Sequence, residues 1–311
     1  MTLTVVGSIA FDCVETQSAR RDRLLGGSAV HFALASSFLV ETRVIGPVGD
    51  DFGEEEYAVL RNRGVITDDI EHVAGGRTFF WAGRYERDVN IRTTLQTDLN
   101  VFEAFRPKLS DAARAAETLF LANIQPDLQR AVREQCAAAR FTALDSMNLW
   151  IEIAHPSLVR TIGTVDGVIL NDGEIRQLTD EPNLVRAARK VLDMGPRVVV
   201  AKEGEYGAAM FTREGVFALP AYPTADVVDP TGAGDAFAGG FMGYVAAHGD
   251  EEPTDDLLRT AMAYGTALAS FNVEAFGTER MQTLTGEEVA ARVADLQRMS
   301  QFEAAPLPLR A

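Results

Sequence analysis

Short runs of β-branched and apolar residues alternate with helical patterns through most of this 311-residue chain. Examples are TRVIG before DFGEEEYAVLRNRG, TLFLAN before DLQRAVREQCAAA, FTALDS before LWIEIAHPSLVRTI, and DGVILN before EIRQL. Each pair is typical of a βαβ unit, in which a helix connects two parallel strands. The alternation therefore predicts the α/β class, with a doubly wound, mainly parallel sheet covered by helices on both faces.

The segment 77–99, RTFFWAGRYERDVNIRTTLQTDL, departs from this alternation. Its apolar residues recur at every second position, so Phe79, Trp81, Gly83 and Tyr85 share one face. We expect antiparallel strands here which, with residues 10–18, form a small sheet inserted in one domain spanning residues 1–311. Because a sheet of this size has no core of its own, two interpretations stay open: a lid over the ligand site or a homodimer interface.

Charge and cysteine content exclude several functions. The formal net charge of -16 argues against nucleic acid and anionic membranes as partners. No apolar run could span a bilayer and no signal-peptide pattern follows Met1, so we expect a cytoplasmic location. Cys13 and Cys136 lack metal-ligand or CxxC spacing and are interpreted as ordinary thiols. The tail 304–311, AAPLPLRA, is expected to be disordered or loosely docked.

The stretch DPTGAGDAFAGGF, which begins at residue 229, places two glycines before an acid and an apolar helix. The spacing predicts a tight turn at Gly232, Ala233 and Gly234, with backbone N–H groups that point at one spot. The N-terminus of the following helix adds positive potential at the same place. This combination predicts an anion hole. Asp235 lies in the first turn of the helix, where helix capping is the alternative to a catalytic role.

The phosphate-binding patterns of other enzyme classes are absent from the sequence. It contains no Walker A pattern, and VVGSIAFD offers a single glycine where a dinucleotide-binding strand would begin GxGxxG. These absences disfavour P-loop chemistry and a nicotinamide-dependent oxidoreductase. An acid beside an anion hole favours phosphoryl transfer to a hydroxyl group, with the acid as general base.

Four motifs, which occur along the chain in the family's order, resemble the ribokinase-like or PfkB family of carbohydrate kinases. GGSAVHFALASSFLVETRVIGPVGDDFGEE and TGAGDAFAGGF are similar to the two family signatures, ILNDGE to its NxxE element and KEGEYG to its KxGxxG turn. The resemblance covers nearly the whole chain. It implies a ribokinase-like fold and an ATP-dependent kinase that transfers the γ-phosphate to a hydroxyl of a small sugar, polyol or nucleoside. A sugar-phosphate kinase and a non-catalytic sugar-binding relative stay open as alternatives.

The resemblance also implies roles on the nucleotide side of the site. Asp235 would be the catalytic base, beside the anion hole for the γ-phosphate. Asn171 and Glu174 would organise Mg²⁺ and the triphosphate, Glu174 through water, although the pair also fits a helix capping box. Residues assigned to the ATP site are Lys202, Gly204 and Gly207, for which a simple β-turn is the alternative.

On the acceptor side, Asp12 matches the aspartate that binds sugar hydroxyls in the family, and Gly26 and Gly27 match the di-glycine hinge. A carboxylate accepts two neighbouring hydroxyls but repels a phosphorylated acceptor. Asp12 therefore favours a neutral acceptor, unless Arg84 or Arg92 compensates the charge of a sugar phosphate.

Two further positions bear on the acceptor and on cations. His31 stands where most family members have Asn, so it is either a substrate ligand or a core histidine. Asp229 and Thr231 match positions that hold a monovalent cation in relatives, and NVEAFGT is similar to the closing loop of that site. Activation by K⁺ is therefore left open.

Overall fold

The computed structural model describes residues 2–17, 19–249 and 252–302. The predicted tail at 304–311 lies outside the described residues. The strands are, in chain order, β1 (Thr2–Val6), β2 (Ala10–Glu15), β3 (Arg20–Gly26), β4 (Glu41–Val48), β5 (Ile70–His72), β6 (Phe79–Tyr85), β7 (Arg92–Asp98), β8 (Thr118–Leu121), β9 (Phe141–Leu144), β10 (Gly167–Asn171), β11 (Val198–Lys202), β12 (Ala208–Phe211) and β13 (Val216–Leu219).

The helices follow the strands in the expected alternation. They are α1 (Ser28–Ser36), α2 (Glu54–Arg61), α3 (Asp111–Arg114), α4 (Pro126–Gln135), α5 (Asn148–Ile153), α6 (His155–Ile162), α7 (Asp172–Thr179), α8 (Leu184–Asp193), α9 (Ala233–Ala247), α10 (Asp255–Asn272), α11 (Glu279–Thr283) and α12 (Gly286–Ser300). Single turns of 3-10 helix lie at Asn100–Phe102 and Gly204–Tyr206. Among the described helices, none is long and apolar enough to cross a membrane.

Nine strands form one large sheet in the order β13-β12-β11-β10-β9-β8-β1-β4-β5. Neighbours from β11 to β5 run parallel, whereas β12 and β13 add an antiparallel edge. The order reverses direction at β1, which lies between β4 and β8. In open α/β sheets, ligands bind at such a switch point, outside the carboxyl ends of the strands.

Helices cover both faces of this sheet, as predicted. In β11, Val198 and Val200 belong to the core that contains α1, α9 and α10, whereas Val199 belongs to the core that contains α4, α7 and α8. Burial on both faces explains why the strands are almost continuously apolar. The predicted fold class is confirmed.

Helix α9 is apolar on every side because it packs between α1 and α10. A Cβ on Gly239 would lie 2.3 Å from the carbonyl oxygen of Phe32, so the missing side chain lets α1 approach closely. The close packing holds the N-terminus of α9 at one fixed place at the edge of the sheet.

Four strands form a separate small sheet in the order β3-β2-β6-β7. The β2–β3 and β6–β7 pairs are antiparallel, but β2 and β6 run parallel. Strand β3 was not predicted from the sequence. It ends at the di-glycine, so the small sheet leads directly into α1.

Candidate active site

Three neighbouring strands of the large sheet carry polar residues at their carboxyl ends. Asn171 ends β10 and pairs in register with Lys202, which ends β11. Asp145 follows β9, the other neighbour of β10. Parallel strands thus bring three residues that are far apart in sequence to one edge. Asp145 was not singled out from the sequence, although the same rule about strand ends that drew attention to Asn171 applies to FTALDS.

The turn that was predicted to form an anion hole lies at the N-terminus of α9. Gly232 adopts φ 77° and is the N-cap, and α9 begins at Ala233. The N–H of Ala233 donates to the carbonyl oxygen of Pro230 at 3.2 Å, and it is therefore already used within the turn. The N–H groups of Gly234 and Asp235 lie in the first turn, where a helix offers no acceptor of its own. They are the donors available to an anion.

Asp235 is half-buried in this first turn, and its environment suits a general base. Burial and the nearby Asp145 raise the pKa of Asp235 to about 7, although Lys202 and Arg92 act in the opposite direction. A carboxyl group with a pKa near neutrality can accept a proton and release it again at physiological pH.

Lys202 lies beside the same turn. Its Nζ donates to Asp145 Oδ2 at 3.1 Å, and a Cβ on Gly234 would lie 3.0 Å from Nζ. Burial opposes the charge on Lys202, but Asp145, Glu174 and Asp235 outweigh burial and raise its pKa. Lys202 is therefore a buried cation beside the first turn of α9.

Asn171 and Glu174 form the capping box that was the alternative to a role with Mg²⁺. The Glu174 N–H donates to Asn171 Oδ1 at 2.7 Å, and the Asn171 N–H donates to Glu174 Oε2 at 2.9 Å. Burial and Asp145 raise the pKa of Glu174 to about 7. Capping and cation binding are compatible here, because a carboxylate that is poorly solvated gains from a nearby cation.

Gly204 and Gly207 lie in the turn that follows β11. Gly204 adopts φ 59° and Gly207 adopts φ 112°. A Cβ on Gly207 would also lie 2.1 Å from the carbonyl oxygen of Leu219. The β-turn alternative accounts for both glycines, and a nucleotide contact at this turn stays a prediction.

Asp12 lies on β2 with the di-glycine packed against it. The side chain is 6% exposed, and a Cβ on Gly26 would lie 2.0 Å from Asp12 Oδ2. The N–H of Gly27 donates to the carboxyl group. Burial raises the pKa of Asp12 to about 8, and Asp229 and Asp235 contribute in the same direction. The acceptor side of the site is strongly acidic.

His31 is buried against the anion-hole turn. Its Nδ1 lies 3.0 Å from Asn272 Oδ1, and Asn272 Nδ2 donates to the carbonyl oxygen of Thr231 at 2.7 Å. We infer that His31 Nδ1 carries the proton, because Asn272 presents its oxygen. Nε2 of His31 has no hydrogen-bond partner among the described residues. Burial lowers the pKa of His31, so the ring is neutral.

Asp229 joins the anion-hole turn to the loop after α10. Its Oδ1 accepts from the Thr231 N–H at 2.9 Å, and its Oδ2 accepts from the Gly277 N–H at 3.0 Å. The oxygens that would face a monovalent cation thus already accept N–H groups. Within the described ranges, no group of three or more His, Cys, Asp or Glu residues is arranged to hold a metal ion.

The small sheet reaches the same turn from the opposite side. Tyr85 Oη lies 3.1 Å from Thr231 Oγ1, a contact that local spacing could not reveal. Arg92, the pairing partner of Tyr85 on β7, lies over the ring of Trp81 at 5.4 Å. Its charge acts on Asp12, Asp235 and Glu174.

Two other residues of the small sheet, Arg84 and Asn90, make polar contacts away from the turn before α9. Arg84 pairs with Glu15 at 2.9 Å, so it is already neutralised within the sheet. In the β6–β7 turn, Asn90 Nδ2 donates to Glu205 Oε1 at 3.2 Å, next to Gly204. The small sheet therefore contacts the anion-hole turn and the turn after β11.

Comparison with known proteins finds one family and several relatives. The family model described as "pfkB family carbohydrate kinase" matches residues 2–284. A nucleoside kinase from Methanothermobacter thermautotrophicus is 27% identical and aligns with 92% of this chain and 94% of its own length. An ATP-dependent ribose-1-phosphate kinase from Halopiger xanaduensis is 30% identical over 73% of this chain and 75% of its own length.

Among solved structures, the nucleoside kinase of Burkholderia thailandensis in complex with inosine superposes with a TM-score of 0.78. It is 21% identical, and the match covers 95% of this chain and 98% of that one. At this level of identity the likeness concerns the fold.

Proposed function

Because the chain belongs to the pfkB family of carbohydrate kinases, we propose that it transfers the γ-phosphate of ATP to a primary hydroxyl of a neutral ribosyl compound, with nucleosides as the first candidates. ATP-dependent transfer to a hydroxyl acceptor is the reaction class of this family, and the prediction of that class is confirmed. The proposed choice of acceptor draws support from the nucleoside kinase relative that aligns with most of the chain.

The observation that carries the choice of a neutral acceptor is the environment of Asp12. Its pKa is raised to about 8, in part because Asp229 and Asp235 lie near it. The negative potential of Asp229 and Asp235 that contributes to this shift would also disfavour a phosphate group on the acceptor. Two neighbouring ribose hydroxyls would instead donate to the Asp12 carboxylate, and Gly26 leaves the carboxylate the room that a side chain would fill.

The proposed chemistry places the acceptor hydroxyl beside Asp235. Asp235 removes the hydroxyl proton while the hydroxyl oxygen bonds to the γ-phosphorus, and the bond from that phosphorus to the bridging oxygen of ADP breaks. The N–H groups of Gly234 and Asp235, at the positive end of α9, stabilise the charge on the transferring group. Transfer then requires the Asp235 carboxylate, which is the form that accepts the proton.

The carboxylate oxygens of Glu174 suit a hydrated Mg²⁺, since a hard cation prefers carboxylate and water oxygens. When bound, Mg²⁺ neutralises negative charge on the triphosphate. We assign Glu174 to hold it through water, and Asn171 to orient Glu174 through the capping box. Residues proposed to line the rest of the nucleotide site are Lys202, Gly204 and Gly207.

We propose that the small sheet is a lid. Its contacts at Tyr85 and Asn90 would close the acceptor side and the nucleotide side together, excluding water from the reaction. Trp81 could stack on a nucleobase or serve as lid core. A homodimer through this sheet and a cytoplasmic location stay predictions.

K⁺ activation also stays a prediction. Asp229 and Thr231 are the matching positions, but their oxygens already accept N–H groups from Gly277 and Asn272. Comparing turnover in K⁺, Na⁺ and an organic cation at equal ionic strength tests it.

A sugar phosphate is the second candidate acceptor, favoured by Arg92. This cation acts on Asp12 and Asp235, and it has no carboxylate within 4.0 Å among the described residues. One relative is named as a ribose-1-phosphate kinase. If Arg92 binds a phosphate on the acceptor, Arg92→Met should abolish use of that acceptor.

An acceptor screen tests the proposal. ADP release would be followed with ATP and Mg²⁺ over nucleosides, free pentoses, hexoses, polyols and their phosphates, using wild type, Asp12→Asn and Arg92→Met. We expect the highest kcat/KM from a neutral ribosyl compound, with Asp12→Asn raising KM for it. Turnover confined to phosphorylated acceptors would overturn the proposal in favour of the second candidate. Turnover with none, together with no ligand-induced thermal shift, would support a non-catalytic relative.

A further inference from the structure

Lys202 and Asp145 form a buried ion pair whose purpose is not explained by stability. The Lys202 side chain is 17% exposed and that of Asp145 is 7% exposed. Taking both charges out of water costs free energy that their attraction only partly returns, so such pairs are often no more stabilising than apolar residues. A role in binding a ligand would account for keeping this ion pair.

The position of the ammonium group is also unfavourable by itself. Nζ lies beside Gly234, where an added Cβ would be 3.0 Å away. Gly234 is in the first turn of α9, and a helix N-terminus carries partial positive charge. A cation at this end of a helix is repelled by it, and the repulsion disappears when an anion lies between them. The arrangement of Lys202 and α9 is complementary to a phosphoryl group.

The ammonium group also has unused donors. A lysine carries three N–H donors, and among the described residues only Asp145 lies within hydrogen-bonding distance of Nζ. The remaining donors are available to a ligand at the edge of the anion hole.

Asp145 is held rigidly, as expected of a group that orients another. Its Oδ1 accepts from the Ser146 N–H at 2.8 Å, which leaves Oδ2 directed at Lys202. Gln129 is fully buried, and its side-chain nitrogen lies within 3.0 Å of the carbonyl oxygens of Asp145, Leu121 and Ala122, which share its two N–H groups. These bonds fix the end of β9 and with it the carboxylate.

We propose that Lys202 is a catalytic residue that donates a hydrogen bond to the transferring γ-phosphoryl group, and that Asp145 is a positioning residue that holds Lys202 beside Gly234. The proposal rests on the kinase function above and adds a side-chain donor to the backbone N–H groups of the anion hole. Lys202 keeps its proton throughout. The acceptor proton goes to Asp235, and ADP leaves with the electrons of the broken bond.

The test separates contact with the γ-phosphate from binding of the rest of the nucleotide. The dissociation constants of ADP and of a non-hydrolysable ATP analogue would be measured with Mg²⁺ for wild type, Lys202→Met, Lys202→Arg and Asp145→Asn. We expect Lys202→Met to weaken binding of the analogue more than binding of ADP, and Lys202→Arg to restore part of the difference. An unchanged ratio of the two constants in Lys202→Met would overturn the proposal, because a purely structural lysine cannot distinguish the two ligands.

Turnover gives a second readout. We expect Lys202→Met to lower kcat by about 10²–10³, the range for losing one donor to a developing oxyanion, with little change in the acceptor KM. Asp145→Asn should lower kcat less, because the ammonium remains but is less well oriented. The matched control is Lys190→Met, since Lys190 is an exposed lysine paired with Glu181 away from the site. Wild-type kcat in the Lys202→Met variant would count against the proposal as strongly as an unchanged ratio.

Folding is controlled by a double variant. Lys202→Met alone leaves Asp145 buried and unpaired, which destabilises a protein strongly. The double variant with Lys202→Met and Asp145→Asn lacks both charges. It should therefore melt near the wild-type temperature, while its turnover stays low. Recovery of turnover in this double variant would show that the pair is only structural. Failure to find a neutral acceptor for the wild type would instead count against the proposed function and leave the nucleotide measurement valid.

Discussion

Three carboxyl groups of the site have pKa values far above those of ordinary acids. The pKa of Asp12 is about 8 and those of Asp235 and Glu174 are about 7, with burial as the largest cause in each. The site gathers acids at low exposure and leaves them partly protonated near neutral pH. Burial is thus the main cause of the raised pKa values, and the neighbouring acids add to it.

The first prediction concerns the pH dependence of the base. With a pKa of about 7, Asp235 is protonated in acid and cannot accept a proton, so kcat/KM should rise about tenfold per pH unit below pH 7 and level off above it. The measurement is kcat/KM for the acceptor across this range. Asp235→Asn should lower kcat by about 10² to 10⁴ while ATP binding is kept. Near wild-type turnover in that variant would remove Asp235 from the mechanism.

The second prediction concerns Glu174. Glu174→Gln keeps the size and the capping oxygen but removes the charge that would hold hydrated Mg²⁺. We expect the Mg²⁺ concentration for half-maximal activity to rise more than the acceptor KM. A Mg²⁺ titration that matches wild type would mean that the residue serves only as a helix cap.

At the scale of elements, the first turn of α9 and the edge of the small sheet meet at the candidate site. Tyr85 joins them through Thr231, and Asp229 ties the same turn to the loop at Gly277. The turn before α9 is therefore supported from both sides. Its geometry depends on glycine at one position in particular.

The third prediction is that Gly232→Ala disrupts this turn. Gly232 has φ 77°, and an added Cβ would lie 2.3 Å from the His31 ring, so the substitution combines backbone strain with a clash. We expect a loss of about 1–3 kcal/mol in the free energy of unfolding, measured in denaturant, together with lower kcat. Gly286→Ala is the matched control, because nothing lies within 4 Å of its Cβ. Equal effects of the two substitutions would contradict the prediction.

The fourth prediction concerns the lid. Trp81→Ala should raise the acceptor KM and the ratio of ATP hydrolysis to transfer, because a site that stays wet lets water compete. Leu95→Ala serves as the comparison, since Leu95 is an exposed apolar residue on β7. For each variant, the acceptor KM, the ratio of hydrolysis to transfer and the molar mass in solution would be measured. If Trp81→Ala only converts dimers to monomers and leaves the kinetics intact, the small sheet is an interface and not a lid.

At the scale of the whole molecule, the acids of the site cost stability. A carboxyl group whose pKa is raised on folding costs no stability below its unfolded pKa, and its cost grows as pH rises from the unfolded pKa to the folded pKa. For Asp12 this window runs from about pH 4 to about pH 8. Each pKa unit of difference corresponds to about 1.4 kcal/mol. The ligand-free protein should therefore be less stable at pH 8 than at pH 5.

The fifth prediction follows from this window. Asp12→Asn removes the ionisation, so the variant should gain stability relative to wild type at pH 8 and lose most of that advantage at pH 5. Melting temperatures of both proteins without ligand, at the two pH values, provide the measurement. Unfolding that responds to pH identically in the two proteins would show that Asp12 is not the responsible group.

The fold and the turn before α9 could be predicted from the sequence alone. Gly232, Gly234 and Asp235 are close in sequence, and their spacing specifies a turn before a helix. Strand β3 was missed because its first four residues, three of them arginines, are exposed and show no apolar alternation. The Tyr85 contact with Thr231 was missed because 146 positions separate the two. Pairing between distant segments has no local pattern from which it could be predicted.

The parallel pairing of β2 with β6 sets an order of events during synthesis. Strands β2 and β3 are neighbours along the chain and can form a hairpin early, but β2 gains its second partner only when Phe79–Tyr85 has emerged. The segment between them contains α1, which packs against the large sheet, and β4, which belongs to it. Closing so long a loop is slow compared with forming a hairpin, so we expect the large sheet to begin folding while the small one is still a single hairpin. The sheet that would confine the substrates is then completed only after folding of the large sheet has begun.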